Sequence, residues 1–146
     1  VGAGELARIL AQMALMMDYR VMVCDPRHER VEQWSLADVP IVQGMPDDVV
    51  RKHAVDSRSI VITLTHDPRI DDMALMEALT TDAWYVGALG SARTTEKRLL
   101  RLQALDLSPA QIDKLHAPVG LDIGSKTPVE IAVAIMAQLT QLRRRP

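Results

Sequence analysis

VGAGELARILAQMALMMDYRVMVCDPR, residues 1–27, sets a glycine-rich turn before an amphipathic stretch and an acid after the next apolar run. Gly2, Gly4 and Ala7 fit the pattern G-x-G-x-x-G/A. In that pattern the first glycine permits a tight turn, the second lets backbone approach a pyrophosphate, and the small third residue lets a helix pack closely on a strand. The helix that follows presents unpaired N–H groups and positive partial charge to an anion. From Glu5 to Met17, residues Leu6, Ile9, Leu10, Met13 and Met17 recur at helical spacing, which predicts a helix that buries this stripe and ends at Asp18. Arg20 to Cys24 predicts a strand. Asp25 then follows Gly4 by about the twenty residues at which an acid accepts from a ribose hydroxyl.

Glu5 favours the first turn of a helix, yet beside a bound pyrophosphate its carboxylate must turn away or meet a cation. Arg27 has two readings, a contact to an extra phosphate or an ion pair with Glu29 or Glu32. A glycine turn of this kind ordinarily follows a strand of several residues. Val1 therefore reads as the last residue of a first strand, and the polypeptide is expected to extend upstream.

Beyond Arg27, short apolar runs alternate with amphipathic stretches, as when parallel strands are joined by crossover helices. Pro40–Val42 predicts a short strand and Asp47–His53 a brief helix. Ser59–Thr65 predicts the central strand, followed by a helix reaching Leu79. Trp84–Leu89 predicts another strand, and TTEKRLLRLQAL the helix after it. Ser108, Pro109 and Gln111 spell a capping box, and Thr127, Pro128 and Glu130 spell a second one opening a long helix through Leu142. Arg143, Arg144 and Arg145 complement the negative end of that helix. The Arg20 to Cys24 run is dense in Val and Met and lacks polar alternation, as expected when both sheet faces are covered. The expected fold is α/β, a doubly wound, mostly parallel sheet with helices on both faces in three αβα layers. No linker or repeat divides the chain, so residues 1–146 are expected to form a single domain.

A net charge of -2 and a pI near 6.1 supply no general basic field, so nucleic acid is not an expected partner. Nothing resembles a signal peptide, and no apolar run approaches the roughly 18 residues of a membrane span. The expected location is the cytoplasm, with no membrane partner. Cys24, the single cysteine, sits in an apolar run and reads as a buried structural thiol. With no Phe and eight Met, the core is expected to be aliphatic and thioether, with Met13, Met16 and Met17 as filler.

Ligands bind an open parallel sheet at the carboxyl ends of its strands. This sequence places Thr65, His66 and Asp67 at one such end, Gly90, Ser91 and Arg93 at another, and GLDIGSKTP before the last helix. Local readings exist for each: Asp67 before Pro68 as a helix cap, Gly90 as a turn. His66 is a general acid or base, a metal ligand, or a hydrogen-bonded structural group. No second ligand at a recognisable spacing supports a metal site. Neither tyrosine begins a Tyr-x-x-x-Lys pair, since Val23 lies four residues after Tyr19 and Leu89 four after Tyr85.

Taken together, GAGELARILAQMA, VCDPR, ITLTHDPRIDDMALMEAL, WYVGALGSARTTEKR and PVGLDIGSKTPVEIAVAIMAQL resemble the Rossmann domain of the XdhC/CoxI family, in order and over nearly the whole chain. The resemblance implies a maturation factor that binds the molybdenum cofactor, as molybdopterin or its dinucleotide form. Such a factor protects the cofactor during sulfuration and hands it to an apo molybdenum hydroxylase of the xanthine or CO dehydrogenase type. A cysteine desulfurase and a second copy of the chain are further expected partners. The matching positions are Gly2, Gly4, Asp25, Arg27, His66, Asp67, Gly90, Ser91, Arg93, Gly120, Asp122 and Gly124, with Glu5 and Thr65 beside them. Many family members carry His where this chain has Glu5, and the family's usual N-terminal region lies outside these residues. In this reading the phosphate docks on Gly2 to Glu5, while His66 and the GSAR loop face the pterin. The alternatives are an NAD(P)-dependent oxidoreductase and a nucleotide-sensing regulatory module.

Overall fold

Residues of the central strands alternate between two covered faces, and that alternation organises the molecule. The computed structural model describes residues 1–54 and 56–145. The chain runs α1 (Glu5–Met16), β1 (Val23–Asp25), α2 (His28–Gln33), β2 (Ile41–Gln43), α3 (Pro46–His53), β3 (Ile60–Thr63), α4 (Pro68–Ala78), β4 (Tyr85–Ala88), α5 (Ala92–Ala104), α6 (Pro109–Ile112), β5 (Leu115–His116) and α7 (Pro128–Arg144). Ile60, Ile62, Leu64 and Tyr85 pack with Leu10, Ile135 and Leu139 of α1 and α7. Val61, Val86 and Ala88 point the other way, against Val50, Leu75 and Leu102 of α3, α4 and α5 and Leu79 just past the end of α4. Each fully buried Leu or Ile contributes about 1.5–3 kcal/mol. The three expected layers are present.

All ladders are parallel, with Val23 opposite Ile41, Ile60 opposite Tyr85 and Val86 opposite Leu115. Regular pairing gives one group of two strands and one of three. Val1 and Gly2 lie between them: the Val1 amine donates to Ile62 O at 2.7 Å, Leu64 N to Val1 O at 2.9 Å, and Gly2 N to Cys24 O at 2.8 Å. The order is therefore β2, β1, Val1–Gly2, β3, β4, β5. This is the order of a doubly wound sheet, whose direction of progression reverses between Val1 and β3.

Both capping boxes form as expected, with Gln111 N donating to Ser108 Oγ and Glu130 N to Thr127 Oγ1, each at 3.2 Å. The stripe of α1 packs as expected through Leu6, Ile9, Leu10 and Met13, and departs only at its end, where Met16 and Met17 do not fill the core. Its buried residues are Ala7, Leu10 and Ala11, while Met16 is 77% and Met17 38% exposed. The helix stops first: Asp18 takes φ 64, and Tyr19 N donates to Ala14 O and Asp18 N to Leu15 O, a Schellman closure that turns Met17 off the helical face. Arg143 lies 5.4 Å over the Tyr19 ring, so this cation has a local aromatic partner besides the helix end. Among the described residues no helix is long and apolar enough to cross a membrane.

Candidate functional site

Gly2 has φ +105, and a Cβ there would sit 2.8 Å from Thr65 Cγ2 and 3.2 Å from the backbone of Leu64 and Thr65. Only glycine lets the turn lie this close to the end of β3. Gly4 is different. It is the N-cap of α1 in an extended conformation any residue adopts, without a side-chain cap, and a Cβ there would meet nothing nearer than Arg30 Nη1 at 4.0 Å. Space rather than backbone geometry sets this position. The first amides of α1 thus begin an uncapped helix, whose opening N–H groups have no intrahelical acceptor. Glu5 is exposed. The Arg30 guanidinium, reaching over from α2, enters no salt bridge among the described residues.

Asp25, at the end of β1, is wholly buried. Its carboxylate accepts Ala3 N at 2.9 Å, Arg27 N at 2.9 Å, Arg27 Nε at 2.9 Å and Arg27 Nη2 at 2.8 Å. Burial alone pushes this carboxyl up, but the Arg27 fork and the two amides together outweigh it and hold the group below the usual carboxylate range. Arg27 therefore pairs with Asp25, not with Glu29 or Glu32, and its fork is engaged within the protein. The physical reason is proximity: Pro26 bends the chain so that both the amide and the guanidinium of Arg27 return to the same carboxylate.

The loop after β3 is fixed by a second buried acid. Asp71 accepts Thr65 Oγ1 at 2.6 Å and Thr65 N at 3.3 Å, and burial raises its carboxyl although these bonds pull the other way. Arg98 is buried with it. Its Nη1 donates to Leu89 O at 3.0 Å and its Nε to Asp72 at 3.2 Å, while Arg101 Nε reaches Asp72 at 2.6 Å. The network ties the Thr65 loop to the Leu89–Ser91 loop. His66 sits between Thr65 and Asp67 at φ 65 and is exposed, with no hydrogen bond among the described residues, so the hydrogen-bonded structural reading does not hold. A non-glycine residue in this region carries backbone strain. Asp67 caps α4 through Arg69 N at 2.9 Å and also binds the Arg69 side chain.

Gly90 makes room for Thr94 Oγ1, which a Cβ would approach to 2.6 Å, and Ser91 caps α5 by accepting from Thr94 N at 3.1 Å. Arg93 is exposed. Gly120 lies against α7, where a Cβ would fall 3.1 Å from Ala134. Its amide donates at 3.0 Å to Gln138 Oε1, which also accepts the Tyr85 hydroxyl. Burial raises the Tyr85 hydroxyl and lowers the His116 imidazole stacked 4.5 Å from its ring. Gly120 thus has a packing role, whereas Asp122 is exposed and Gly124 faces open space. Among the described residues no group of three or more His, Cys, Asp or Glu side chains converges to hold a metal.

A cleft of about 320 Å³ opens between the loops after β1, β2 and β3, lined by Arg27, Met45, Pro46, Asp67, Arg69 and Met73 among others. A second, of about 440 Å³, runs past Arg69, Asp72, Met76 and Arg101. Neither is lined by His66, Gly90 or Ser91. Neither cleft reaches Gly2–Glu5 or Arg30; the turn, the Asp25–Arg27 pair and the Thr65–Asp67 loop are contiguous through Ala3 N on Asp25 and Gly2 against Thr65, while Gly90–Arg93 and Gly120–Gly124 border them at successive strand ends. Arg30, Asp71, Asp72 and Arg98 were not singled out by the sequence. Arg98 alone left a sign, a charge within the Thr95, Arg98, Leu102 stripe that α5 buries.

A doubly wound sheet with an uncapped glycine turn at its switch point defines a Rossmann-type domain. The chain belongs to the XdhC Rossmann domain family, which it matches over residues 1–139. It is similar to a probable xanthine dehydrogenase subunit of Bacillus subtilis, 29% identical over 146 residues, 99% of this chain and 42% of the relative. A molybdenum cofactor insertion chaperone, PaoD of Escherichia coli, is 32% identical over 89 residues, 61% of this chain and 28% of the relative. The uncharacterized protein YqeB of Escherichia coli is 27% identical over 143 residues, 98% of this chain and 26% of its own length. The chain therefore spans between about a quarter and two fifths of the curated relatives it matches. The crystal structure of a xanthine dehydrogenase from Bacillus halodurans superposes with a TM-score of 0.82 at 33% identity, covering 98% of this chain and 41% of that one.

Proposed function

We propose that this domain holds the molybdenum pterin cofactor by its phosphate during maturation of a xanthine dehydrogenase-type molybdenum hydroxylase. The observation that carries the reading is the start of α1, where Gly4 leaves open space beside uncapped amides and within reach of Arg30. Backbone donors, a positive helix end and a guanidinium suit a phosphate monoester, so the residues present fit such a tail. The names of two relatives, an insertion chaperone for this cofactor and a xanthine dehydrogenase subunit, support the choice of cofactor. When bound, the cofactor supplies the molybdenum centre destined for the client enzyme.

In this reading Gly2, Gly4 and Glu5 offer their backbone to the phosphate and Arg30 neutralises it. His66 and the Gly90–Arg93 loop, with Asp122 and Gly124 beyond, border the pterin side. The domain retains the cofactor through sulfuration, with a cysteine desulfurase as sulfur source, and releases it in the cytoplasm to the apo-hydroxylase. Two copies of the chain act together. An NAD(P)-dependent oxidoreductase is less well supported, because the acid that would receive a ribose is already saturated.

Equilibrium binding of the intact polypeptide to molybdenum cofactor, NAD and NADP tests the reading. Cofactor retention is expected, and Gly4→Val should weaken it by about tenfold or more while costing only about 1 kcal/mol of stability, the loss of a favourable N-cap residue, because valine there also fills the ligand's space. Preference for NAD with no cofactor retained overturns it.

A further inference from the structure

The acid of the glycine fingerprint normally serves a ribose, and here it has no capacity left to do so. A carboxylate offers about four lone-pair sites. Asp25 fills them with four N–H donors, one from the glycine turn and three from Arg27, and is wholly buried beneath them. A ribose diol reaching Asp25 must displace the two charge-assisted bonds of the Arg27 side chain, which are about twice as strong as neutral ones. Arg27 keeps 27% of its side chain exposed and lines the cleft between β1, β2 and β3, so it stands where the diol would arrive.

We infer that Arg27 is the specificity-determining residue of this turn: it occupies the ribose subsite with its own guanidinium, and the domain therefore takes a phosphate-bearing ligand that carries no ribose beside Asp25. The inference rests on the phosphate-binding reading above and narrows it to the monophosphate pterin, against the dinucleotide form and NAD(P). Arg27 acts through Asp25 and touches the phosphate nowhere in this scheme. A cationic phosphate clamp is left to Arg30, which lies beside Gly4 and enters no salt bridge among the described residues.

The discriminating probe is a nucleotide with and without its diol. Titration calorimetry of the intact polypeptide with inorganic pyrophosphate, ADP and 2′,3′-dideoxy-ADP, on wild type, Arg27→Met and Arg27→Lys, isolates the ribose contribution. Wild type should bind pyrophosphate and show no preference for ADP over the dideoxy analogue. Arg27→Met uncovers Asp25 and should prefer ADP by about tenfold, with pyrophosphate affinity changed by less than about threefold, because a buried acceptor then gains a hydroxyl partner. Arg27→Lys keeps a cation over the carboxylate and should behave as wild type. A wild-type preference for ADP of about tenfold overturns the inference, and so does an unchanged ratio in folded Arg27→Met. Should Arg27→Met not fold, the wild-type ratio decides alone. Failure of every variant to bind pyrophosphate is a different result: it removes the phosphate-binding reading itself and the inference with it.

Discussion

Asp25 and Asp71 are both fully buried at the carboxyl edge of the sheet, on opposite sides of Val1–Gly2, yet their carboxyls move in opposite directions. Burial is the largest influence on each and pushes both up. Asp25 meets a guanidinium fork and two amides within 2.9 Å, enough to reverse the effect. Asp71 has a hydroxyl at 2.6 Å, one amide at 3.3 Å and its guanidinium, Arg98, only at 3.9 Å. The difference teaches that depth alone does not decide the state of a buried acid. The number, charge and distance of its donors do. The first region is a closed ion pair that stiffens the glycine turn. The second is a hydrogen-bond hub that joins two strand-end loops.

Arg98→Met should have the largest effect, since it leaves Asp72 short of one partner and the Leu89 carbonyl without its donor. A loss of about 3–5 kcal/mol is expected for breaking a buried pair, measured by urea denaturation. A loss under about 1 kcal/mol would mean that the hub is incidental. Asp25→Asn comes next, with about 2–3 kcal/mol lost at neutral pH. Its folded carboxyl is depressed, so the stabilisation exists above the unfolded value near 3.9 and vanishes as pH falls through the lower folded value. The gap between variant and wild type should therefore close in acid. Ser91→Ala removes only a cap from the second region and should cost about 1 kcal/mol, or a few degrees of melting temperature. Asp71→Asn should change stability at pH 7 by less than about 1 kcal/mol, because its amide oxygen still accepts from Thr65. Here the sign runs the other way: a raised folded carboxyl makes wild type lose stability as pH rises from about 3.9 through the folded value, a fall the variant lacks. Urea midpoints followed from roughly pH 3 to roughly pH 8 separate the two acids.

The layers and most helices were legible because short apolar runs, the 3.6-residue period and the capping residues act locally, whereas the strand order that sets the switch point was not. Ser108 with Gln111 and Thr127 with Glu130 needed no tertiary partner to be read. Two elements escaped. HERVEQ forms α2 without burying a residue, so no apolar stripe announces it, and β5 is two residues long. At the site, Gly2, Gly4 and Asp25 were visible by spacing. What Asp25 binds was not, because Glu29 and Glu32 are also neighbours in sequence and only the bend at Pro26 brings Arg27 back. The reach of Arg30 to Gly4, and of Arg98 to Leu89, depends on how separate elements dock, which spacing within one element does not encode.

Val1 and Gly2 are the only described residues whose backbone bonds span the gap between the two strand groups at the middle of the sheet. Gly2 bonds to β1 and leads directly into the amides that open α1, while Val1 bonds to β3 and the residue after it, so a substitution that shifts this turn is felt in both strand groups and in the first turn of the helix at once.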